Sequence, residues 1–351
     1  MKKKLLSVLM AAVMVAGVGG VGAAQVKADD EKILGAGIYS ASDNFNSYIG
    51  KAITNACDGI FKTNIEDGQN DQSTQNNQVD TMLAKGASAV AVSVCDVTAA
   101  PTLIQKCKDA GNVPIIFFNK EITDYDVINS YENAYQVTST GGDYGASIQA
   151  QMVIDYWKEH PEMDKNGDGK LQLVYLMGDP GHTASQPRCD YLKSTIEDAG
   201  IEIDLLAEDT GMWVTATAKE KMDAWVSKYG DEIECCVAGN DAMALGALSA
   251  VEAAGFNTDG EESSKYIPIY GIDALPEILS KIESGEITGS VLQDAKTQGQ
   301  TIVKMAENLT SGKDAMDGIE GVEMEEEAKA VRVPYQAITK DNLDLAKSTY
   351  E

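Results

Sequence analysis

Between residues 164 and 172 the chain reads Asp164-Lys165-Asn166-Gly167-Asp168-Gly169-Lys170-Leu171-Gln172, which sets oxygen-bearing side chains on alternate residues around a glycine. This reproduces positions 1, 3, 5, 6, 7 and 9 of a calcium loop, in which hard carboxylate, amide and carbonyl oxygens surround the ion and glycine makes the sharp turn. Asp164, Asn166, Asp168 and Gln172 would offer side-chain oxygens, and Lys170 its carbonyl oxygen with the ammonium turned away. Position 12, where such loops place a bidentate Glu, is Tyr175, and a strand-like apolar run follows instead of a helix. The spacing therefore predicts one calcium site whose last carboxylate comes from elsewhere, rather than a paired EF-hand; a plain polar turn is the blander alternative.

Little else in the sequence points to bond-making chemistry. Only two histidines exist, His160 and His182, and no G-x-S-x-G, H-E-x-x-H or Walker A motif occurs. The G-x-G-x-x-G match at residues 17–22 has no βαβ unit around it. Asp43 and Asp273 are the one carboxylate pair that could be set facing each other for glycoside hydrolysis. Cys57, Cys95, Cys107, Cys189, Cys235 and Cys236 include no C-x-x-C, and a chain this long needs no staples, so buried free thiols are expected. The chain reads as a binder and not an enzyme.

The elements that must position these groups are short apolar runs at residues 33–39, 89–94, 113–118, 171–177, 201–206, 233–238 and 267–272. Amphipathic stretches alternate with them, at 73–85, 99–110, 144–158 and 218–228. This predicts an α/β protein of doubly wound parallel sheets, in which ligands collect beyond the carboxyl ends of the strands. Polar residues stand there: 40–45, Asn119-Lys120, Asn240-Asp241 and Asp273-Ala274. Joints near residues 138–142, near Gln293 and around 328–330 predict three crossings between two lobes. The expected division is 29–138 plus 293–328 for the first lobe and 139–292 plus 329–351 for the second.

A formal charge of −27 over 351 residues disfavours nucleic acid and anionic surfaces as partners. Lys2, Lys3 and Lys4, an apolar run over 5–18 and the small-residue ending Val26-Lys27-Ala28 predict a signal peptide over 1–28, with export to a periplasm or the extracytoplasmic cell surface. No lipid-attachment cysteine follows the apolar run.

Several further stretches act together: Asp43-Asn44-Phe45, Gln69-Asn70-Asp71-Gln72-Ser73, residues 113–121, the 164–172 loop, Pro180-Gly181-His182, Met212-Trp213, residues 240–244 and residues 271–277. In this order, across about 33–345, the chain resembles the galactose/glucose-binding branch of the bacterial periplasmic sugar-binding proteins. The resemblance implies the type I periplasmic binding protein fold, with a hexose held between two lobes that a three-segment hinge closes, and delivery to a membrane ABC permease. It implies that Asp43 and Asn119 bind sugar hydroxyls from one lobe, and His182, Arg188, Asn240 and Asp273 from the other. Phe45 and Trp213 would cover the two faces of the pyranose, and Glu234 would complete a structural Ca²⁺ site. A monomer is expected, with a chemoreceptor or sensor kinase as a further partner.

This assignment suits the chemistry of a neutral sugar, whose C–H faces take flat aromatic walls and whose hydroxyls take carboxylates, amides and Arg. Two residues depart from the family pattern. Ala184 stands where an Asp is usual, and Gln293 where an Asn is. Ser185, Gln186 or a bridging water would have to make up for the missing acid. The alternative reading is therefore a binding protein for another monosaccharide or a pentose, acting mainly in chemosensing.

Overall fold

The computed structural model describes residues 32–262 and 265–350; the predicted signal peptide lies outside them. Among the described residues thirteen strands run in chain order. The first five are β1 Ile33–Ile38, β2 Lys62–Asp67, β3 Ala89–Val92, β4 Ile115–Phe118 and β5 Ala134–Ser139. Next come β6 Lys170–Met177, β7 Glu202–Thr210, β8 Cys235–Ala238, β9 Ile269–Tyr270 and β10 Ser290–Leu292. The last three are β11 Glu323–Glu325, β12 Ala330–Val333 and β13 Gln336–Ile338.

They form a seven-stranded sheet in the order β11-β12-β5-β4-β3-β1-β2, a four-stranded sheet β7-β6-β8-β9, and the pair β10-β13. Every neighbouring pair within the two larger sheets is parallel except β11 with β12. Parallel bridges from Tyr270 to Gly289 and from Asp273 to Leu292 carry the second sheet on to β10.

Parallel sheets are covered on both faces, and the strands show why these sequences suit that place. Successive residues of β4 alternate between two cores, Ile115 and Phe117 on one face and Ile116 and Phe118 on the other. In the second sheet Leu171, Leu173 and Tyr175 face one core while Val174 and Leu176 face the opposite one. Cys235 and Cys236 likewise point to opposite faces. All six cysteines are free thiols, five of them buried.

The chain passes between the lobes three times. After β5 it enters the helix Gly142–Glu159 on the second sheet, and after β10 it returns through the helix Ala295–Thr310. That helix lies against the helix Asn44–Ala56 so tightly that a Cβ on Gly299 would sit 2.6 Å from Ala52 Cβ. The third passage corrects the expected boundary after Ala328. β12 is a strand of the first sheet, paired in parallel with β5, and Val331 and Val333 belong to the first lobe's core. The crossing therefore falls at Pro334 and Tyr335, and the second lobe resumes at β13 and the helix Leu343–Tyr350.

The lobes touch in this structure. Tyr48 Oη donates to Glu277 Oε1 at 2.9 Å, Tyr48 and Tyr350 meet edge to face, and Leu275 packs into the first lobe's core.

Candidate functional site

The cleft sits beyond the carboxyl ends of both parallel sheets. In the first lobe, β1 leads through a short turn into the helix Asn44–Ala56, and Asp43 is its N-cap, Oδ1 accepting from Asn46 N at 2.9 Å. Its second oxygen takes a short hydrogen bond from Tyr39 Oη. Burial and then the Asp43 carboxylate hold the Tyr39 phenol well above its usual range, so Tyr39 remains the donor. Asn119 follows β4 in the left-handed region (φ 64°), which Asn tolerates better than most residues. Its Oδ1 lies 3.4 Å from Ser93 Oγ and 3.4 Å from His182 Nε2 across the cleft.

In the second lobe, His182 closes the turn that precedes the helix Ser185–Asp198. Its Nδ1 accepts from Ala184 N at 3.1 Å, which puts the ring proton on Nε2, facing Asn119. Burial, then the positive charges of Lys120 and Arg188, hold this imidazole well below its ordinary pKa, so it is neutral. Arg188 is buried and donates to Gly239 O at 2.6 Å, to Gln293 Oε1 at 3.1 Å and to Tyr335 Oη at 3.1 Å. Burial opposes its charge, but Tyr335 and Asp273 outweigh that and raise its pKa. Among the described residues its Nε has no partner, and neither has the buried Trp213 Nε1.

Trp213 also has a left-handed backbone (φ 63°), and its indole lies against Gly178 so closely that a Cβ there would stand 2.0 Å from the ring. Asn240 caps the helix Asp241–Ala253 through Met243 N at 3.0 Å. Asp273 sits just past β9 at φ 124°, 2% exposed, with no hydrogen-bond donor for its carboxylate among the described residues. Burial and then Asp241 raise its pKa well above the ordinary value, with Arg188 pulling the other way. Asp241, held by Leu275 N at 2.7 Å and Ser290 Oγ at 2.6 Å, is itself pushed up to about 7, mainly by burial. Three cleft residues in sparsely populated backbone regions mark a place where geometry is held by its surroundings.

The resulting cavity measures about 290 Å³ and is lined by Asp43, Phe45, Asn119, His182, Arg188, Trp213, Asn240, Asp273 and Gln293 together. These are the nine positions singled out in the sequence for one ligand. Sequence reasoning missed Glu121, Asp143 and Tyr335, which share the lining. Ser185 and Gln186 are not in it: Ser185 is buried with its hydroxyl on Asp179 O, and Gln186 pairs with Asp190 at 2.8 Å.

The 164–172 loop forms a separate site on the second lobe. Asp164 Oδ1 and Asn166 Oδ1 both accept from Asp168 N, at 3.0 and 2.9 Å, and Asp168 Oδ1 accepts from Lys170 N at 2.9 Å, so the oxygens turn inward. Glu234 reaches the loop from the segment before β8, its two oxygens accepting from Lys165 N at 2.7 Å and Gln172 N at 3.0 Å. Burial, the larger cause, and Asp164 raise the Glu234 pKa. Gln172 Oε1 is buried with no donor. Among the described residues no three His, Cys, Asp or Glu side chains form a ready metal cluster. The donors here are a mixture of carboxylate, amide and main-chain oxygens, a set that suits Ca²⁺ and not a transition metal. Tyr175, at position 12, points into the core instead.

Known proteins share this fold. The family model described as the periplasmic binding protein domain matches residues 36–314. The D-galactose/methyl-galactoside binding periplasmic protein MglB of Haemophilus influenzae is 42% identical over 88% of this chain and 90% of its own length. A xylitol-binding protein of Mycolicibacterium smegmatis is 27% identical over 90% of this chain and 80% of its own. The crystal structure of an ABC transporter solute binding protein from Bacillus halodurans with bound myo-inositol superposes with a TM-score of 0.71 at 27% identity, covering 91% of this chain and 98% of that one.

Proposed function

This chain belongs to the periplasmic binding protein domain family, and from that membership we propose that it captures one neutral monosaccharide, galactose or glucose, between its lobes and hands it to an ABC permease. It is a carrier, as its relatives are, and not a catalyst. The observation that supports this reading best is the convergence of nine polar and aromatic side chains from both lobes on one cavity. Within it, Arg188 Nε, Trp213 Nε1 and the Asp273 carboxylate have no hydrogen-bond partner among the described residues. Hydroxyls are both donors and acceptors, so a sugar rim satisfies all three, and an analogue lacking the matching hydroxyl leaves them unpaired. Phe45 and Trp213 supply apolar faces for the ring.

In this reading the sugar touches both walls only when the lobes are together, and that difference in contacts shifts the hinge equilibrium toward closure. A permease would read the closed form, as would a chemoreceptor or sensor kinase. The acidic surface suits an uncharged cargo. Among the described residues no helix is long and apolar enough to cross a membrane.

The second site is proposed to hold Ca²⁺. Asp164, Asn166, Asp168, Gln172 and Glu234 would ligate it through side chains and Lys170 through its carbonyl oxygen, with the orphaned Gln172 Oε1 the clearest sign of a missing partner. Its role is structural, tying the loop to the segment before β8.

The test is a calorimetric titration with galactose, glucose, ribose, xylose and arabinose in turn. One-to-one binding of galactose or glucose, tighter than any pentose, is expected. Silence toward both hexoses with a pentose response would overturn the hexose reading and leave the fold and class.

A further inference from the structure

Four carboxylates line the cleft: Asp43, Glu121, Asp143 and Asp273. Two are already committed. Asp43 caps a helix and takes the Tyr39 hydroxyl, and Glu121 is gripped by both terminal nitrogens of Arg332, each at 2.7 Å. Asp273 is assigned above to the sugar. Asp143 remains, with no hydrogen bond or ion pair on its carboxylate among the described residues.

Its position is fixed closely. Asp143 lies in the first turn of the helix Gly142–Glu159, directly after the first crossing. Gly141 precedes it at φ 100°, where a Cβ would stand 2.4 Å from Asp143 Oδ1, so only glycine leaves the carboxylate room to fold back. A Cβ on Gly142 would stand 3.2 Å from Ala184 Cβ, which places Asp143 beside the turn that carries His182. Ala184 offers this end of the cavity only a methyl group, and the helix that starts after it has no side-chain cap. Two hydroxyls on the first-lobe side are engaged: Thr138 Oγ1 donates to Ser139 O at 3.0 Å, and Ser139 Oγ accepts from Gln298 Nε2 at 3.1 Å, which leaves Thr183 as the hydroxyl beside Ala184 in the lining.

We propose that Asp143 is the specificity-determining acceptor at the Ala184 end of the cavity, taking a hydrogen bond from one hydroxyl of the bound sugar. This rests on the sugar-binding reading and deepens it. An acceptor with no protein partner among the described residues confers selectivity, because a ligand without the donor leaves it unpaired.

Calorimetry on wild type, Asp143→Asn and Asp143→Ala with the preferred hexose and its monodeoxy analogues tests the proposal. Both variants should weaken the parent sugar by about 10- to 100-fold while their melting temperatures stay within a degree or so of wild type. The loss should vanish for one deoxy analogue, the one missing the hydroxyl that Asp143 holds. In the Asp143→Ala background, Ala184→Asp should recover part of the affinity. Affinity within about twofold of wild type for both variants, or an equal loss across every deoxy analogue, would overturn the assignment while leaving the wild-type binder intact. A wild type that binds no hexose would overturn it together with the reading beneath it.

Discussion

The two walls of the cleft are built differently. On the first-lobe wall the carboxylate and amide oxygens are already engaged: Asp43 is capping a helix and bound by Tyr39, and Asn119 Oδ1 is shared among Asn46, Ser93 and, across the gap, His182. The second-lobe wall carries the unmet demand, with Arg188 Nε, Trp213 Nε1 and the buried Asp273 carboxylate all lacking hydrogen-bond partners among the described residues. The difference teaches an order of events. A ligand gains most by landing on the second lobe, and the first lobe, whose Asp43 and Asn119 side-chain oxygens are already engaged, adds the closing contacts.

The comparison breaks most sharply at Asp273. Asp273→Ala should lower sugar affinity by roughly 1,000-fold, the loss of two buried hydrogen bonds together with the hydroxyls left unpaired, read by calorimetry; a loss under about tenfold would mean that the second wall is not the main holder. The aromatic pair sharpens the same point. Trp213→Ala is expected to weaken binding about 100-fold and Phe45→Ala about 10-fold, and the reverse ranking would invert the proposed order.

Chelation, a smaller effect, separates the walls from the 164–172 loop. Removing calcium should lower the melting temperature by about 5 °C, the scale of a ligand held near a hundred times its Kd, while sugar affinity at 20 °C moves less than about threefold. Loss of binding without unfolding would show that the loop supports the cleft directly.

The smallest effect concerns pH. The folded pKa of Asp273 is raised, so the fold binds its proton more tightly than the unfolded chain does, and stability from this group falls as pH rises from about 4. Asp273→Asn should therefore raise the melting temperature of the sugar-free protein by about 3 °C at pH 7, with the gain fading toward pH 4. An equal shift at both values would exclude ionisation as the cause.

Much of this was legible in the sequence because it depends on local pattern. β3, β4, β6 and β8 are buried on both faces and read as apolar runs. β2 and β7 lie at sheet edges, half exposed, and their residues Lys62–Asp67 and Glu202–Thr210 carry too few apolar side chains to announce their full length. β12 was assigned to the wrong lobe since its partner β5 is nearly two hundred residues away, a distance no local window spans. Asp143 escaped notice for a related reason. An acid in the first turn of a helix is ordinary, and only the fold brings it beside Ala184.

The threading of the chain also orders its own assembly. The four strands of the second sheet come from one unbroken stretch, 142–292, whereas the first sheet waits for β12 and its covering helix Ala295–Thr310. As the polypeptide emerges N-terminus first, its leading half stays open until residue 333 is free, and only the second lobe's β13 and last helix follow it. A nick between the lobes would therefore leave no fragment holding a complete first half.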